Sequence, residues 1–208
     1  IQLEKPFMRL MIRLNSLLSK YANAILFNSY SSLEQHKHFG FSPSNLFLIQ
    51  NGFESPKNKK NNLRELLSIT KNSFVFGYIA RSHPMKNHKG FILSAIKILE
   101  MGFDADFILA GKGINLSNKE LISLVPNIYL GRFHFLGVNK SSSDVMSSID
   151  CLCVFSKWGE GFPNVIGEAM MNKVICISTN VGDAGYLLDH GRGTITENMK
   201  TDSFVRAM

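Results

Sequence analysis

The sequence has little of what a disulfide-linked or metal-binding protein needs. Its 208 residues include only three cysteines, Cys151, Cys153 and Cys176. An odd number of cysteines, all within short apolar runs, indicates reduced core thiols rather than a disulfide framework. No second pair of ligands at zinc spacing accompanies Cys151 and Cys153. We therefore expect no disulfide and no metal site, and we expect a cytoplasmic location.

Long hydrophobic runs are also missing. No apolar stretch approaches the ~20 residues that a membrane-spanning helix needs. The start of the chain, Ile-Gln-Leu-Glu-Lys, has no apolar core after a basic segment and is unlike a signal peptide. The sequence thus predicts neither a membrane span nor a leader.

Acidic side chains are fewer than basic ones, with 16 Asp and Glu against 23 Lys and Arg and a net charge of +7. A basic balance suits anionic partners such as nucleotides, acidic membrane surfaces or nucleic acid. The sequence has no zinc-finger spacing, no RNA-binding aromatic string and no long run of Lys and Arg. Nucleic acid is therefore not expected as a partner.

What the sequence does have is the pattern of an α/β protein. It is 45% hydrophobic and 19% charged, as globular domains are. Apolar runs alternate with amphipathic segments, which predicts a doubly wound, mostly parallel sheet. Strands are predicted at 24–27, 45–49, 74–80, 106–110, 133–136, 151–155, 174–178 and 193–196. Helices are predicted at 6–21, from a cap at Ser31 or Ser32 to His38, at 61–69, 88–100, 118–125, 142–149, 163–172, and from 202.

The first predicted helix is amphipathic. Its apolar positions follow steps of three and four, and its other face carries basic residues. We expect the apolar side to pack on a core and the basic side to face water. The alternative is peripheral contact with an anionic lipid surface. The apolar positions are Phe7, Leu10, Met11, Leu14, Leu17, Leu18 and Tyr21, and the basic ones Lys5, Arg9, Arg13 and Lys20.

The most informative segment is residues 156–170, Ser-Lys-Trp-Gly-Glu-Gly-Phe-Pro-Asn-Val-Ile-Gly-Glu-Ala-Met. It places Glu160 in a loop after a predicted buried strand and Glu168 about one and a half turns into a helix. Pro163 suits the first turn of that helix. A helix N-terminus at the carboxyl end of a strand favours anions, and carboxylates accept hydrogen bonds from sugar or ribose hydroxyls. Two surface glutamates at this spacing by chance are the alternative.

The full string from Glu160 to Met170 resembles the Glu-x7-Glu signature of retaining glycosyltransferases of family 4 (group 1), which have the GT-B fold. The resemblance implies that Glu160 contacts the donor sugar and Glu168 the ribose of the nucleotide. It implies a Rossmann-like donor-binding domain at 53–208, lacking its last helix. Residues 1–52 would be a remnant of the acceptor-side N-terminal domain and the linker.

A basic loop supports the same resemblance. Arg81 and Lys86 follow the first strand of the donor domain and match the arginine and lysine with which the family holds the donor diphosphate. Together they would stabilise the charge that develops as the sugar–phosphate bond breaks. The resemblance therefore implies no metal and no other cofactor. The alternative for these residues is a solvated basic loop.

Other donor-binding positions follow from the turn and from the resemblance. Gly161, Phe162 and Pro163 line the turn, and the amides of Asn164 and Val165 at the helix start are suited to phosphate. The alternative for Phe162 is core packing. The family also implies nucleotide contacts by the loop at Gly111 and by Gly137. For Gly111, the alternative is a tight turn.

The implied function is transfer of a sugar, with retention, from a nucleotide-diphosphate-sugar to the hydroxyl of a glycan or lipid-linked acceptor. Family context places this in bacterial surface polysaccharide or lipopolysaccharide synthesis, at the inner face of the cell membrane. The family's N-terminal glycine-rich loop and histidine are not found here, so we expect this chain alone to be poorly active. The rival hypotheses are a nucleotide-sugar epimerase of the same fold and a non-catalytic nucleotide- or protein-binding module.

Overall fold

The computed structural model describes residues 6–54, 62–138 and 142–208. Within them, six parallel strands form one sheet and two parallel strands form a small second sheet. The small sheet contains β1 (Ile25–Phe27) and β2 (Leu46–Leu48). The large sheet contains β3 (Phe74–Ile79), β4 (Ala105–Ala110), β5 (Phe133–Phe135), β6 (Cys151–Val154), β7 (Ile175–Ser178) and β8 (Thr194–Ile195).

Helices connect the strands and cover the large sheet, so the predicted α/β fold with a parallel sheet is confirmed. They are α1 (Pro6–Leu18), α2 (Tyr30–His38), α3 (Leu63–Leu66), α4 (His88–Glu100), α5 (Lys119–Ile122), α6 (Ser142–Met146), α7 (Asn164–Met171), α8 (Ala184–Leu187) and α9 (Thr201–Ala207). The observed helices are shorter than those predicted at 6–21, 61–69, 118–125, 142–149 and 163–172, and α8 was not expected. The cap of α2 is Ser29, whose side chain accepts from the Ser32 amide, so the predicted caps are wrong.

The core lies on both faces of the large sheet. One face buries an aromatic layer that includes Tyr78, Phe91, Phe107 and Phe155, and the ring of Phe204 in α9 stacks 4.0 Å from that of Phe155. The other face is aliphatic and packs under α6, α7 and α8. β4 and β6 are buried along their whole length, as expected for central parallel strands, and all of their residues except Asp106 are apolar.

The three cysteines are free and buried, as predicted. Cys151 and Cys153 share the aromatic face, and Cys176 lies on the aliphatic one. Burial raises the pKa of the Cys176 thiol to about 12 and raises that of Cys153 as well. The thiols of Cys153 and Cys176 are therefore unreactive, and all three cysteines are buried parts of the core.

Helix α1 does not pack as predicted. None of its residues is buried, and its side chain at Ile12 reaches the edge of the small core around Leu33, Phe41 and Leu46. The apolar stripe is exposed, so the expectation of a core-packed helix is wrong for the part of the chain described. The exposed positions are Phe7, Met8, Leu10, Met11, Leu14, Leu17 and Leu18, followed by Tyr21.

The strand order of the large sheet places the site. The order is β5-β4-β3-β6-β7-β8. The strands β3, β4 and β5 therefore follow one another towards one edge of the sheet, and β6, β7 and β8 follow one another towards the opposite edge. Ligands of open α/β sheets bind where the order reverses, at the carboxyl ends of the two central strands. Here those strands are β3 and β6, and the loops that follow them contain the predicted basic and acidic residues.

Candidate functional site

The loops after β3 and β6 bring Lys86 and Glu160 into contact. The Lys86 ammonium forms an ion pair with Glu160 Oε1, and Ser156 Oγ donates to the same oxygen at 2.5 Å. The side chains of Lys86 and Glu160 are 19% and 12% exposed. Salt screens the attraction in such a largely buried pair only weakly. Each charge is therefore compensated mainly by the other.

A second set of contacts fixes the two loops together. Tyr78, at 1% exposure, donates its hydroxyl to the Lys86 carbonyl and accepts from the Phe155 amide at 3.3 Å. The Lys157 amide donates to the Met85 carbonyl at 2.7 Å. Burial raises the pKa of Tyr78, so its hydroxyl stays protonated and able to donate. These contacts fix the backbone at Lys86 relative to Phe155 and Lys157.

Arg81 lies two residues after the end of β3 and is exposed at the same sheet edge. On the far side of this loop, His88 starts α4 and is buried against the Tyr78 ring, with Nε2 3.3 Å from the Ala80 carbonyl. Burial, helped by the positive charge of Lys86, lowers the pKa of His88 to about 4. The imidazole is therefore neutral at pH 7, and the positive charge of this loop comes from Arg81 and Lys86.

The turn after Glu160 leads into α7. Phe162 is buried and stacks on Phe53, with ring centroids 6.1 Å apart, so it packs as well as shaping the turn. Pro163 is the residue before the first helical position rather than part of the first turn. The side chain of Asn164 is exposed and accepts from Asn51 Nδ2 at 2.6 Å.

The start of α7 is also held from the N-terminal side. Val165 packs on the aliphatic core, which fixes the first turn and its amides. The Phe53 ring lies against α7 at Gly167, where a Cβ would stand 2.1 Å from it. Phe53 and Asn51 were not predicted as site residues, because no local signal in the sequence shows which strand ends pack on this helix.

Glu168 is partly buried beside a cavity of about 160 Å³. The cavity is next to the motif and contains a second carboxylate, Glu54. Its remaining described lining is Phe53, Ser142, Ser143, Met146, Met171 and Asn172. The hydroxyl and carboxylate groups around it are suited to hydrogen bonds with a diol.

Gly111 and Gly137 meet at the carboxyl ends of β4 and β5. The Gly111 amide donates to the Gly137 carbonyl at 2.6 Å. Gly111 has a φ of +144°, and a Cβ there would lie 2.2 Å from the Ala80 carbonyl oxygen. A side chain at Gly111 would therefore collide with the Ala80 backbone, and the φ of +67° at Gly137 also favours glycine. Both glycines lie on the sheet edge that carries Lys86 and Glu160.

The described residues were compared with what a metal site and a membrane-spanning helix require. In residues 6–54, 62–138 and 142–208, no group of three or more His, Cys, Asp or Glu side chains is arranged to hold a metal ion. Across the same ranges, no helix combines the length and the apolar character that a membrane crossing requires.

Comparisons with known proteins agree with this geometry. The chain is 27% identical over 180 residues to the Escherichia coli UDP-Gal:alpha-D-GlcNAc-diphosphoundecaprenol alpha-1,3-galactosyltransferase, covering 83% of this chain and 46% of that protein. It is 29% identical over 129 residues to the putative glycosyltransferase EpsF of Bacillus subtilis, covering 62% of this chain and 32% of that protein. The chain thus spans about half or less of the length of these curated relatives.

A solved structure has the same fold. The crystal structure of Anabaena HepE in complex with UDP and glucose superposes with a TM-score of 0.82 at 25% identity, covering 95% of this chain and 56% of that one. Residues 73–208, which hold the large sheet and every site residue predicted from the sequence, match the family described as glycosyl transferases group 1. Since this match covers more than half of the chain, the protein belongs to the glycosyl transferases group 1 family.

Proposed function

We propose that this chain is the donor-binding part of a retaining glycosyltransferase of family 4 that uses a UDP-sugar. The observation that carries the proposal is the Lys86–Glu160 pair at the point where the strand order reverses. One relative is named for a UDP-galactose donor, and the superposed structure holds UDP and glucose. The family match favours sugar transfer over the epimerase and the binding module.

The residues take roles that follow from their chemistry. Arg81 and Lys86 bind the diphosphate, since a guanidinium fork and a mobile ammonium neutralise phosphate oxygens. Glu160 accepts hydrogen bonds from the donor sugar. Glu168, beside its cavity, accepts them from the ribose. The free amides at the start of α7 add partial positive charge near the phosphates.

The Lys86–Glu160 pair would take part in donor binding, with Lys86 sharing its ammonium between Glu160 and the donor phosphate. As the sugar–phosphate bond breaks, Lys86 and Arg81 stabilise the leaving diphosphate. The reaction proceeds on the front face, with the leaving phosphate taking the acceptor proton and Glu160 orienting the sugar. No metal takes part in this scheme.

The acceptor side is proposed from the N-terminal elements. Residues 1–52 would belong to the acceptor-side domain, and 53–208 form the donor-binding domain. The exposed apolar stripe of α1, with Arg9 and Arg13 beside it, suits peripheral contact with an anionic membrane. Such a contact would bring the site to a lipid-linked acceptor, the class named for the E. coli relative, in surface polysaccharide synthesis.

Transfer assays with the protein in its full natural length test the proposal. UDP-sugars are incubated with polyprenyl-diphosphate-linked sugars, and the product's anomeric configuration is read by NMR. We expect transfer with retention that Glu160→Gln lowers by at least about 100-fold. Glu197→Gln, at an exposed carboxylate, is the matched control. Inversion would contradict retention, and sugar interconversion without acceptor would indicate the epimerase.

A further inference from the structure

Asp183 is a buried carboxylate that the proposed reaction does not use. It lies between β7 and α8 at 1% exposure. Its partners are more than 150 positions earlier in the chain: Oδ1 accepts from Ser29 Oγ at 3.1 Å and the Ser31 amide at 2.8 Å, and Oδ2 accepts from the Tyr30 amide at 2.7 Å. Both carboxylate oxygens therefore accept hydrogen bonds from the start of α2.

The carboxylate completes the N-terminus of α2. A helix leaves its first amides without partners, and a negative charge there is favourable. Ser29, the N-cap, satisfies the Ser32 amide, and Asp183 satisfies those of Tyr30 and Ser31. The start of the helix thus depends both on its own cap and on a residue of the loop after β7.

The same residue is bonded to the catalytic turn. The Asp183 amide donates to the Gly161 carbonyl at 2.8 Å. Its neighbour Gly182 has a φ of +63°, and a Cβ there would lie 2.3 Å from the Gly161 oxygen and 2.6 Å from the Glu160 oxygen. From the other side, a Cβ on Gly161 would lie 3.3 Å from Ser32 Oγ. The Glu160–Gly161 turn is therefore enclosed by α2 and the 182–183 backbone.

We propose that Asp183 is a positioning residue that joins α2 to the Glu160–Gly161 turn and so holds Glu160 where it meets the donor sugar. The inference rests on the proposed role of Glu160. The Asp183 carboxylate binds the N-terminus of α2, and the Asp183 amide binds the Gly161 carbonyl of the turn. Loss of the Asp183 carboxylate frees the N-terminus of α2 and loosens the Glu160–Gly161 turn. The contact of Glu160 with the donor sugar is then weakened, whereas the contacts of Glu168 with the nucleotide stay in place.

The experiment uses the full natural protein and measures two affinities by calorimetry, for UDP and for the UDP-sugar, together with kcat for transfer. Asp183→Ala removes all three acceptor contacts. Ser29→Ala removes one of these contacts, together with the cap of the Ser32 amide, and leaves both backbone contacts to Asp183, so it serves if the first variant folds poorly. Asp189→Ala removes an exposed carboxylate from the same region and is the matched control. All measurements are made well below each variant's Tm.

We expect Asp183→Ala to weaken UDP-sugar binding and lower kcat by about 10- to 100-fold, since small misplacements of catalytic groups have effects of this size. UDP binding should change less than about twofold, because UDP lacks the sugar. Ser29→Ala should move both values in the same direction by less, and Asp189→Ala should leave both unchanged.

The outcomes separate the two proposals. Suppose that the wild type binds UDP-sugar more tightly than UDP. If Asp183→Ala then weakens the affinities for UDP and UDP-sugar equally, or changes neither, the positioning role is overturned and the proposed function stays intact. A wild type that binds neither ligand would overturn the proposed function and this inference with it.

Discussion

The Lys86–Glu160 pair offers a quantitative test of how the site is held before donor binds. We consider Lys86→Met, which keeps the side-chain length and removes the charge. Among the described residues, Ser156 then remains as the hydrogen-bond partner of the Glu160 carboxylate, whose side chain is 12% exposed. Breaking a fully buried pair costs about 3–5 kcal/mol, because the remaining charge is left uncompensated.

Two features of the structure lower the expected cost of breaking the Lys86–Glu160 pair. Ser156 still donates to the carboxylate, and a residual 12–19% exposure admits some water. We therefore expect a loss of about 2–3 kcal/mol. For a chain of this size, 1 kcal/mol shifts Tm by roughly 2–4 °C. The predicted fall in Tm is thus about 4–12 °C.

The assay is thermal unfolding by circular dichroism, with two further variants. Lys86→Met combined with Glu160→Gln removes the stranded charge and should restore most of the stability, since replacing both partners of a pair is nearly neutral. Lys97→Met breaks the exposed pair with Asp202 and should leave Tm within about 1 °C. If Lys86→Met leaves Tm unchanged, or if the double variant is no more stable than the single one, the pair does not hold the loops as described.

Three further predictions follow from buried groups. Gly182→Ala places a Cβ against the Glu160 and Gly161 carbonyls, so we expect transfer to fall by about 100-fold; wild-type rates would contradict the close packing. His88 is neutral when folded, with its pKa lowered from 6.5 to about 4, so the unfolded state binds more protons between these values. Stability should be complete above about pH 6.5 and fall by up to about 3 kcal/mol towards pH 4, and urea titrations of His88→Gln should lack this slope. A thiol reagent at pH 8 should leave all three cysteines unmodified in the folded protein and modify them in urea; rapid labelling without urea would contradict their burial.

The fold was accessible to sequence reasoning because its signals are local. The largely apolar sequences of β4 and β6 indicate buried strands of a parallel sheet, and both strands lie within one residue of their predicted bounds. The loop residues Arg81, Lys86 and Glu160 were placed together because parallel strands end at one edge. Helix α4, with its cap at Asn87 and apolar side at Phe91 and Ile92, matches the prediction at both ends.

What could not be predicted depends on contacts between distant parts of the chain. The capping of α2 by Asp183 joins residues separated by more than 150 positions, and a lone aspartate after a glycine carries no sign of it. The support that Tyr78 and Ser156 give to Lys86 and Glu160 depends on side-chain direction within packed loops. The exposed stripe of α1 differs from expectation because an amphipathic pattern shows that a helix has an apolar side and does not show what covers it.

The central claim is that Glu160 and Glu168 divide the donor between them, one at the sugar and the other at the ribose. Calorimetry on the full natural protein tests this directly, with UDP and with the UDP-sugar as ligands. Glu168→Gln should weaken binding of both ligands by about tenfold, the cost of one charge-assisted hydrogen bond. Glu160→Gln should weaken the UDP-sugar by a similar factor and leave UDP within about twofold. Equal effects of Glu160→Gln on the two ligands, or no effect of Glu168→Gln on UDP, would contradict the division.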